Sequence, residues 1–218
     1  MRETPQMQVW RGAFGTEHTD RNILRPDELD ALYQRRLGVS RRAMNEQFLG
    51  DLPRALRILE VGSNVGNQFL CLQAMGFTHL CGVELQRYAV ELSKRYVHNV
   101  AVLQGSAFDV PFKDASFDLV YTSGVLIHLA PADIGGALRE IYRCASRYIW
   151  GLEYFAPHYQ EVEYRGHQAL LWKTDFAKLY LDAFPDLRLV KQRIFRELDG
   201  PNEDIMFLLE KPASGTSG

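Results

Sequence analysis

The stretch Ile58-Leu-Glu-Val-Gly-Ser-Asn-Val-Gly-Asn67 decides the fold. An apolar run ends in a carboxylate, passes into a turn with two glycines, and continues into residues of helical period over 67–75. A strand feeding a glycine turn and then a helix is the first half of a βαβ unit, and ligands of open α/β sheets bind at that turn. Leu80-Cys-Gly-Val-Glu84 repeats the theme, an apolar run closed by an acid 22 residues after Gly62.

Outward from this unit, short β-branched runs alternate with longer stretches of helical period, the signature of a parallel sheet flanked by helices. Strands are expected over 57–61, 79–84, 100–103, 117–122 and 147–151, and helices over 67–75, 86–97, 131–145 and 173–184. Two alternating runs, 187–195 and 204–211, flank the turn-rich Asp199-Gly-Pro-Asn202 and are expected to pair antiparallel. Residues 1–53 fall outside the rhythm. Helical patterns over 26–37 and 41–49 predict an N-terminal helical cap, leaving 54–211 as the catalytic domain and the polar 212–218 as a flexible tail.

The 218 residues fit one sizeable domain. With 25 Lys+Arg against 27 Asp+Glu, the net charge of −2 gives no electrostatic drive toward nucleic acid or anionic membrane. Cys71, Cys81 and Cys144 are widely spaced, without Cys-x-x-Cys or histidines at zinc spacing, so neither a disulfide framework nor a metal site is expected. No apolar stretch approaches the roughly 20 residues of a membrane span. The N-terminus lacks the basic-then-apolar layout of a signal peptide. A cytoplasmic protein, monomeric or homodimeric, acting on a small molecule is the expectation.

The glycine loop has two nucleotide-type readings. The dinucleotide fingerprint Gly-x-Gly-x-x-Gly would need glycine at the positions held by Asn64 and Asn67, and the close-approach glycine is therefore missing. No Gly-Lys-Ser/Thr is present, which excludes a P-loop. The pattern Glu60-x-Gly62-x-Asn64-x-Gly66, with Glu84 closing the second run, resembles the class I S-adenosylmethionine-dependent methyltransferases. That resemblance implies a Rossmann-like α/β sandwich with a seven-stranded, mostly parallel sheet whose last strand is reversed. S-adenosylmethionine would be the cofactor and S-adenosylhomocysteine the product.

On that resemblance Gly62, Asn64, Gly66 and Asn67 form the methionine-side loop, where free N–H groups at a helix start suit a carboxylate. Glu60 orients the methionine end or braces the loop. Glu84 can accept from both ribose hydroxyls; its plain alternative is an exposed acid after a strand. The segment 104–112 looks like the adenine side, with Leu85, Ser106 and Ala107 as contacts. Ser106 stands where the family often has aspartate, and Asp109 is the alternative acceptor or a turn residue. Ser123 and Gly124 pass beneath the methionine, and His128 is either a packed core histidine or a general base.

A narrower resemblance rests on Trp10-Arg-Gly-Ala-Phe-Gly-Thr-Glu-His-Thr-Asp-Arg-Asn22, Tyr164-Arg-Gly-His167, Leu171-Trp-Lys173 and Asp175-Phe-Ala-Lys-Leu-Tyr180, which look like the pseudaminic acid biosynthesis-associated methylase family. His18 departs from the tyrosine common there. It implies a sugar, nucleotide-sugar or nonulosonic acid acceptor of bacterial surface-glycan biosynthesis. Aromatic faces mixed with donors suit such an acceptor, and Arg11, Phe14, Arg21, Asn22, Tyr159, Arg165 and Trp172 are its candidate contacts. Arg21 or Arg165 could clamp a carboxylate or phosphate. His128, Tyr154 and His158 are candidate catalytic residues. The rival readings are a small-molecule or peptide methyltransferase of secondary metabolism, a nicotinamide-dependent oxidoreductase, and a cofactor-binding module without turnover. No Asn/Asp-Pro-Pro-aromatic segment follows the fourth strand, which disfavours a nucleic-acid methyltransferase.

Overall fold

The computed structural model describes residues 3–212. Four helices come first: α1 (Pro5–Arg11), α2 (Ala13–Arg21), α3 (Pro26–Leu37) and α4 (Arg41–Leu49). Then β1 (Arg57–Val61), α5 (Asn67–Ala74), β2 (His79–Glu84), α6 (Arg87–Tyr96), β3 (Ala101–Gln104), β4 (Phe117–Ser123), α7 (Ile134–Cys144) and β5 (Ala145–Phe155) alternate. A two-residue hairpin of β6 (Gln160–Glu161) and β7 (Trp172–Lys173), α8 (Phe176–Ala183), β8 (Arg188–Arg196) and β9 (Glu203–Glu210) complete the chain.

The main sheet has the order β3-β2-β1-β4-β5-β9-β8. Strands β1 to β5 pair in parallel, and β9 runs antiparallel to both β5 and β8. Strand order reverses between β1 and β4, so the crevice above their carboxyl ends is the ligand position of this architecture. Parallel strands covered on both faces must be apolar on both. Leu59, Val61 and Val120 accordingly pack under α7 and α8, while Ile58, Leu119 and Tyr121 pack under α4 and α5.

The expected helices over 26–37 and 41–49 are α3 and α4. α4 is a core layer, inserting Met44, Phe48 and Leu49 against the sheet. Helices α1 and α2 and the small β6/β7 hairpin were not foreseen. α1 is started by Thr4, whose hydroxyl accepts from Met7 N at 3.3 Å, and by Pro5 in the first turn. The glycines at 12 and 15 obscure any helical period in α2. β5 extends to Phe155, beyond the expected 147–151, because β9 pairs with it as far as Glu203 opposite Phe155. The expected tail lies, from residue 213 on, outside the described residues.

Gly151 in β5 is fixed by its neighbour across the ladder. A Cβ there would lie 2.3 Å from Phe207 Cζ. Gly151→Ala is expected to cost about 1–3 kcal/mol by overpacking, read as a lower urea midpoint with an unchanged slope.

Candidate functional site

The turn after β1 has a conformation that its sequence allows. Gly62 has φ +79°, and a Cβ would meet Val125 Cγ2 at 2.5 Å; Gly66 has φ +95°, with Val97 Cγ1 at 2.8 Å. Asn64 sits at φ 48°, a left-handed position that asparagine tolerates. The turn is fastened by Glu84: Asn64 N donates to one carboxylate oxygen at 2.8 Å and Gln86 N to the other at 2.7 Å. A carboxylate offers about four acceptor sites, so two bonds leave capacity for a ligand. Burial raises the Glu84 pKa and these N–H groups oppose the rise.

Beneath the turn lies Glu60, 3 % exposed, accepting from the Tyr121 hydroxyl at 2.8 Å. Burial pushes its pKa up to about 8, against the Tyr121 bond and the charge of Arg41. Arg41 is itself buried and donates to Asn45, to the Tyr33 hydroxyl at 2.9 Å and to Ser123 Oγ at 3.0 Å.

Above the turn is a first cavity of about 130 Å³. Gly62, Asn64 and Glu84 form one wall, Leu85, Ser106, Ala107 and Phe108 another, and Gly124, Val125 and His128 a third. The roof is α1 and α2, through Gln6, Met7, Trp10, Gly15, His18 and Thr19. Gln86 ties the roof to the rim. Its Nε2 donates to Trp10 O, Gly12 O and Thr16 Oγ1 at 3.2–3.4 Å, and its Oε1 accepts from Thr19 at 2.9 Å. The Ser106 hydroxyl accepts from Phe108 N at 3.2 Å.

A second cavity of about 230 Å³ adjoins the first, and His18, Gly124 and His128 line both. Gly124, at φ +68°, has nothing within 4 Å of the position a Cβ would take. His128 Nδ1 lies 2.7 Å from Leu170 O; a carbonyl only accepts, so Nδ1 carries the proton and Nε2 the lone pair. Burial lowers the pKa of His128 to about 4. His18 also falls to about 4, by burial and then by Arg21 and Arg165. The rings of Trp10, His18, His128 and Tyr164 pack in contact, Trp10 and His128 with centroids 4.4 Å apart. The far end of the second cavity is formed by Tyr33, Arg36, Tyr154 and Asp204, beside Leu24, Leu29, Leu32, Ile127, Leu152 and Leu171.

Seven of the expected cofactor contacts line the first cavity: Gly62, Asn64, Glu84, Leu85, Ser106, Ala107 and Gly124. Glu60 lines neither cavity, and Gly66 backs onto Val97 and Phe69. Asn67 and Ser123 face the second cavity, and both are engaged. The Asn67 amide donates to Asn22 O at 2.5 Å, and Ser123 accepts from Arg41. Tyr154 and Asn22 also line the second cavity, while Phe14 packs edge-on to Trp10 and His167 behind the ring cluster.

The remaining expected contacts are not brought to either cavity. Arg11 is exposed and paired with Glu3; Arg21 is exposed, 3.5 Å from Glu17. His158 and Tyr159 are exposed on the loop after β5, Arg165 sits at a turn tip over the Tyr164 ring, and Trp172 is buried in β7. An exposed arginine and a site arginine look alike in sequence, and the ion pair decides. Conversely, Trp10, Gln86, Arg36, Glu153 and Asp204 were missed. Only Gln86 had a local signal, directly after Glu84-Leu85; Arg36 and Asp204 meet across 168 residues.

Three acids here have pKa values raised by burial: Glu60 to about 8, Glu153 to about 7 and Asp204 to about 6. Each is more basic folded than unfolded, so its stability contribution is present at low pH and lost as pH rises through the raised value. The two histidines act oppositely, but only as pH falls from 6.5 toward 4. Above pH 6.5 the acids act alone. Ligand-free protein is expected to lose stability from pH 6.5 to 8, and Glu60→Gln to remove roughly 1–2 kcal/mol of that loss, measured by urea unfolding at both pH values. Among the described residues no group of three or more His, Cys, Asp or Glu is placed to hold a metal, and no helix is long and apolar enough to cross a membrane.

Residues 59–147 match the family described as Methyltransferase domain. The chain is 33% identical over 82 residues to the O-methyltransferase rstn1 of Aspergillus nomiae, covering 35% of this chain and 36% of that protein. It is 27% identical over 110 residues to the sterol 24-C-methyltransferase erg6 of Aspergillus fumigatus, covering 46% and 29%. This chain thus spans about a third of the length of the curated relatives it matches. Among solved structures it resembles the Burkholderia thailandensis 1,6-didemethyltoxoflavin-N1-methyltransferase with bound 1,6-didemethyltoxoflavin and S-adenosylhomocysteine. That likeness has a TM-score of 0.70 at 16% identity over 97% of this chain and 92% of the other. The cyclase SpnF shares the fold at TM-score 0.61 and 14% identity, over 78% and 81%. The chain therefore has the Rossmann-like class I methyltransferase fold, and the domain match supports S-adenosylmethionine as its cofactor and S-adenosylhomocysteine as the product.

Proposed function

We propose that this protein is an S-adenosylmethionine-dependent methyltransferase that binds its cofactor in the first cavity and a small polar acceptor in the second. The observation that carries the reading is the junction, where His18, Gly124 and His128 line both cavities. The cofactor supplies a methyl group already activated by a sulfonium, so the protein's part is alignment and exclusion of water. The residues present fit it. Glu84 keeps acceptor sites for ribose hydroxyls, and Asn64 Oδ1 is buried on the cavity wall without a partner. Ser106, Ala107 and Leu85 offer the adenine side, as the resemblance implies.

His18 and His128 are uncharged at neutral pH, so neither opposes a cationic sulfonium at the junction. For an acceptor that must lose a proton, His128 Nε2 is the free lone pair, its ring held by Leu170. Burial pushes the pKa of the Tyr154 hydroxyl up to about 12, so Tyr154 is read as an acceptor contact and not as the base. The roof of α1 and α2, latched by Gln86, keeps water from the junction.

A sugar or nonulosonic acid of surface-glycan biosynthesis would call for a mostly polar wall. The second cavity mixes polar groups with six aliphatic side chains, which suits a polar acceptor of secondary metabolism that also carries an apolar face. The Burkholderia N1-methyltransferase, whose structure holds 1,6-didemethyltoxoflavin and S-adenosylhomocysteine, supports a small-molecule acceptor.

Calorimetric titration with S-adenosylmethionine, S-adenosylhomocysteine and NAD tests the reading. Binding of both adenosyl ligands and not NAD is expected, with Glu84→Ala weakening it by roughly 1.5–3 kcal/mol, the worth of hydrogen bonds to a charged group. Tighter binding of NAD, or no binding, would sink it. Gln86→Leu is expected to speed S-adenosylhomocysteine release about tenfold in stopped-flow displacement, since the variant loses the roof contacts while the Glu84 carboxylate stays.

A further inference from the structure

The polar end of the second cavity is built more tightly than a cavity wall requires. Arg36 is held on one edge by two acids: its Nη2 pairs with Asp204 Oδ1, and its Nε lies 2.9 Å from Glu197. The guanidinium also lies 5.6 Å from the ring centroid of Tyr33 and 5.2 Å from that of Tyr154. Its Nη1 amino group is left without a hydrogen-bond or ion-pair partner among the described residues. The Tyr154 hydroxyl likewise makes no hydrogen bond, and Asp204 spends only Oδ1. All three groups line the cavity. A guanidinium fixed by carboxylates and aromatic faces, with one edge free, is preorganised to donate to an oxygen.

The charge balance narrows what that oxygen belongs to. The neighbouring cations are engaged elsewhere, Arg41 on Asn45, Tyr33 and Ser123 and Lys173 on Asn202, and Arg36 already faces Asp204 and Glu197, so a carboxylate or phosphate would add a third negative group to the one guanidinium with a free edge. An ammonium would meet the guanidinium's own charge. A neutral group with an acceptor and a donor side by side satisfies the free groups without a net charge. We propose that this end of the cavity is the recognition subsite of the methyl acceptor and takes an amide or lactam edge of a planar neutral molecule. Its carbonyl oxygen accepts from Arg36 Nη1 and the Tyr154 hydroxyl, and its N–H donates to Asp204 Oδ2. The aliphatic walls Leu29, Leu32 and Leu152 cover the ring faces, and the opposite end of the acceptor reaches Gly124 and His128.

This inference rests on the second cavity being the acceptor site. The test uses protein saturated with S-adenosylhomocysteine, labelled with nitrogen-15 in arginine, and three ring probes: benzamide, benzoate and benzylamine. Benzamide is expected to shift the Arg36 side-chain resonance saturably, at an affinity at least tenfold above either charged probe. Tyr154→Phe, which keeps the ring, is expected to weaken benzamide about fivefold. Arg36→Met should abolish the binding; because it also strands Asp204 and so lowers stability, the tyrosine variant carries the decision. No Arg36 shift at the solubility limit of benzamide overturns the subsite, as does a preference for benzoate or for benzylamine, or a Tyr154→Phe variant that binds benzamide unchanged. Failure to bind S-adenosylhomocysteine at all would instead remove the methyltransferase reading, before any probe is added.

Discussion

The Glu84 carboxylate is the joint on which the site depends. It closes β2, it holds the left-handed Asn64 turn of β1 through one oxygen, and it holds the start of α6 through the other. The next side chain along, Gln86, then carries the roof. A backbone turn with three residues at positive φ, Gly62, Asn64 and Gly66, costs conformational energy unless its N–H groups are paired. Glu84 pairs Asn64 N from a neighbouring strand while Val83 O and Ser63 O take Gly62 N and Gly66 N, so turn and roof are set by the register of β1 against β2, in which Glu60 lies opposite Gly82. Gly82 has no side chain for a reason of the same kind: a Cβ there would lie 2.7 Å from Ser63 Oγ in the turn.

The second constraint is electrostatic. The junction lies among buried ionisable groups, and burial favours their neutral forms, acids shifted up and histidines down. Folding loses something at alkaline pH by keeping Glu60 and Glu153 there. Those carboxyls nonetheless brace backbone that must not move: Glu153 accepts from Val125 N at 3.2 Å and Ile127 N at 3.4 Å, which holds the segment between Gly124 and His128. Replacing such a group by an apolar residue would relieve the charge and leave those N–H groups unpaired.

The sheet was legible because its central parallel strands, β1 and β4, are buried on both faces and read as apolar runs bounded by turn residues, as in 57–61, while the edge strand β3 is mostly exposed. The cofactor turn was legible because glycine spacing and strand-end acids are local features. The polar end of the second cavity was legible only at Tyr154. Arg36 comes from α3 and Asp204 from β9, and nothing in their sequence neighbourhoods distinguishes those two from surface residues. The arginines chosen instead, Arg11, Arg21 and Arg165, were chosen for their company of aromatic residues. That company is real in the fold, since Phe14, Tyr164 and His167 do pack together, but Arg11 and Arg21 turn to Glu3 and Glu17, and only Arg165, exposed at its turn, stays over the Tyr164 ring. α1 and α2 were hidden by Gly12 and Gly15. Gly15 is set by packing, since a Cβ there would lie 1.9 Å from Trp10 O and 2.7 Å from Gln86 Nε2.

This division follows the chain. The segment matched to the methyltransferase domain, 59–147, contains every core wall of the first cavity and stops short of β5's outer half, β9 and all of the N-terminal helices. The polar end of the second cavity, Tyr33, Arg36, Tyr154 and Asp204, lies wholly outside it. The walls of the first cavity are thus strand ends whose geometry the sheet enforces, whereas the polar end of the second is built from α3 and from the ends of β5 and β9 outside the matched segment. One scaffold can then serve an N1-methyltransferase and a cyclase alike, because a fold fixes where chemistry happens and the added walls decide on what. In this chain the polar end of the second cavity is assembled by α3 meeting β9 through the Arg36–Asp204 pair.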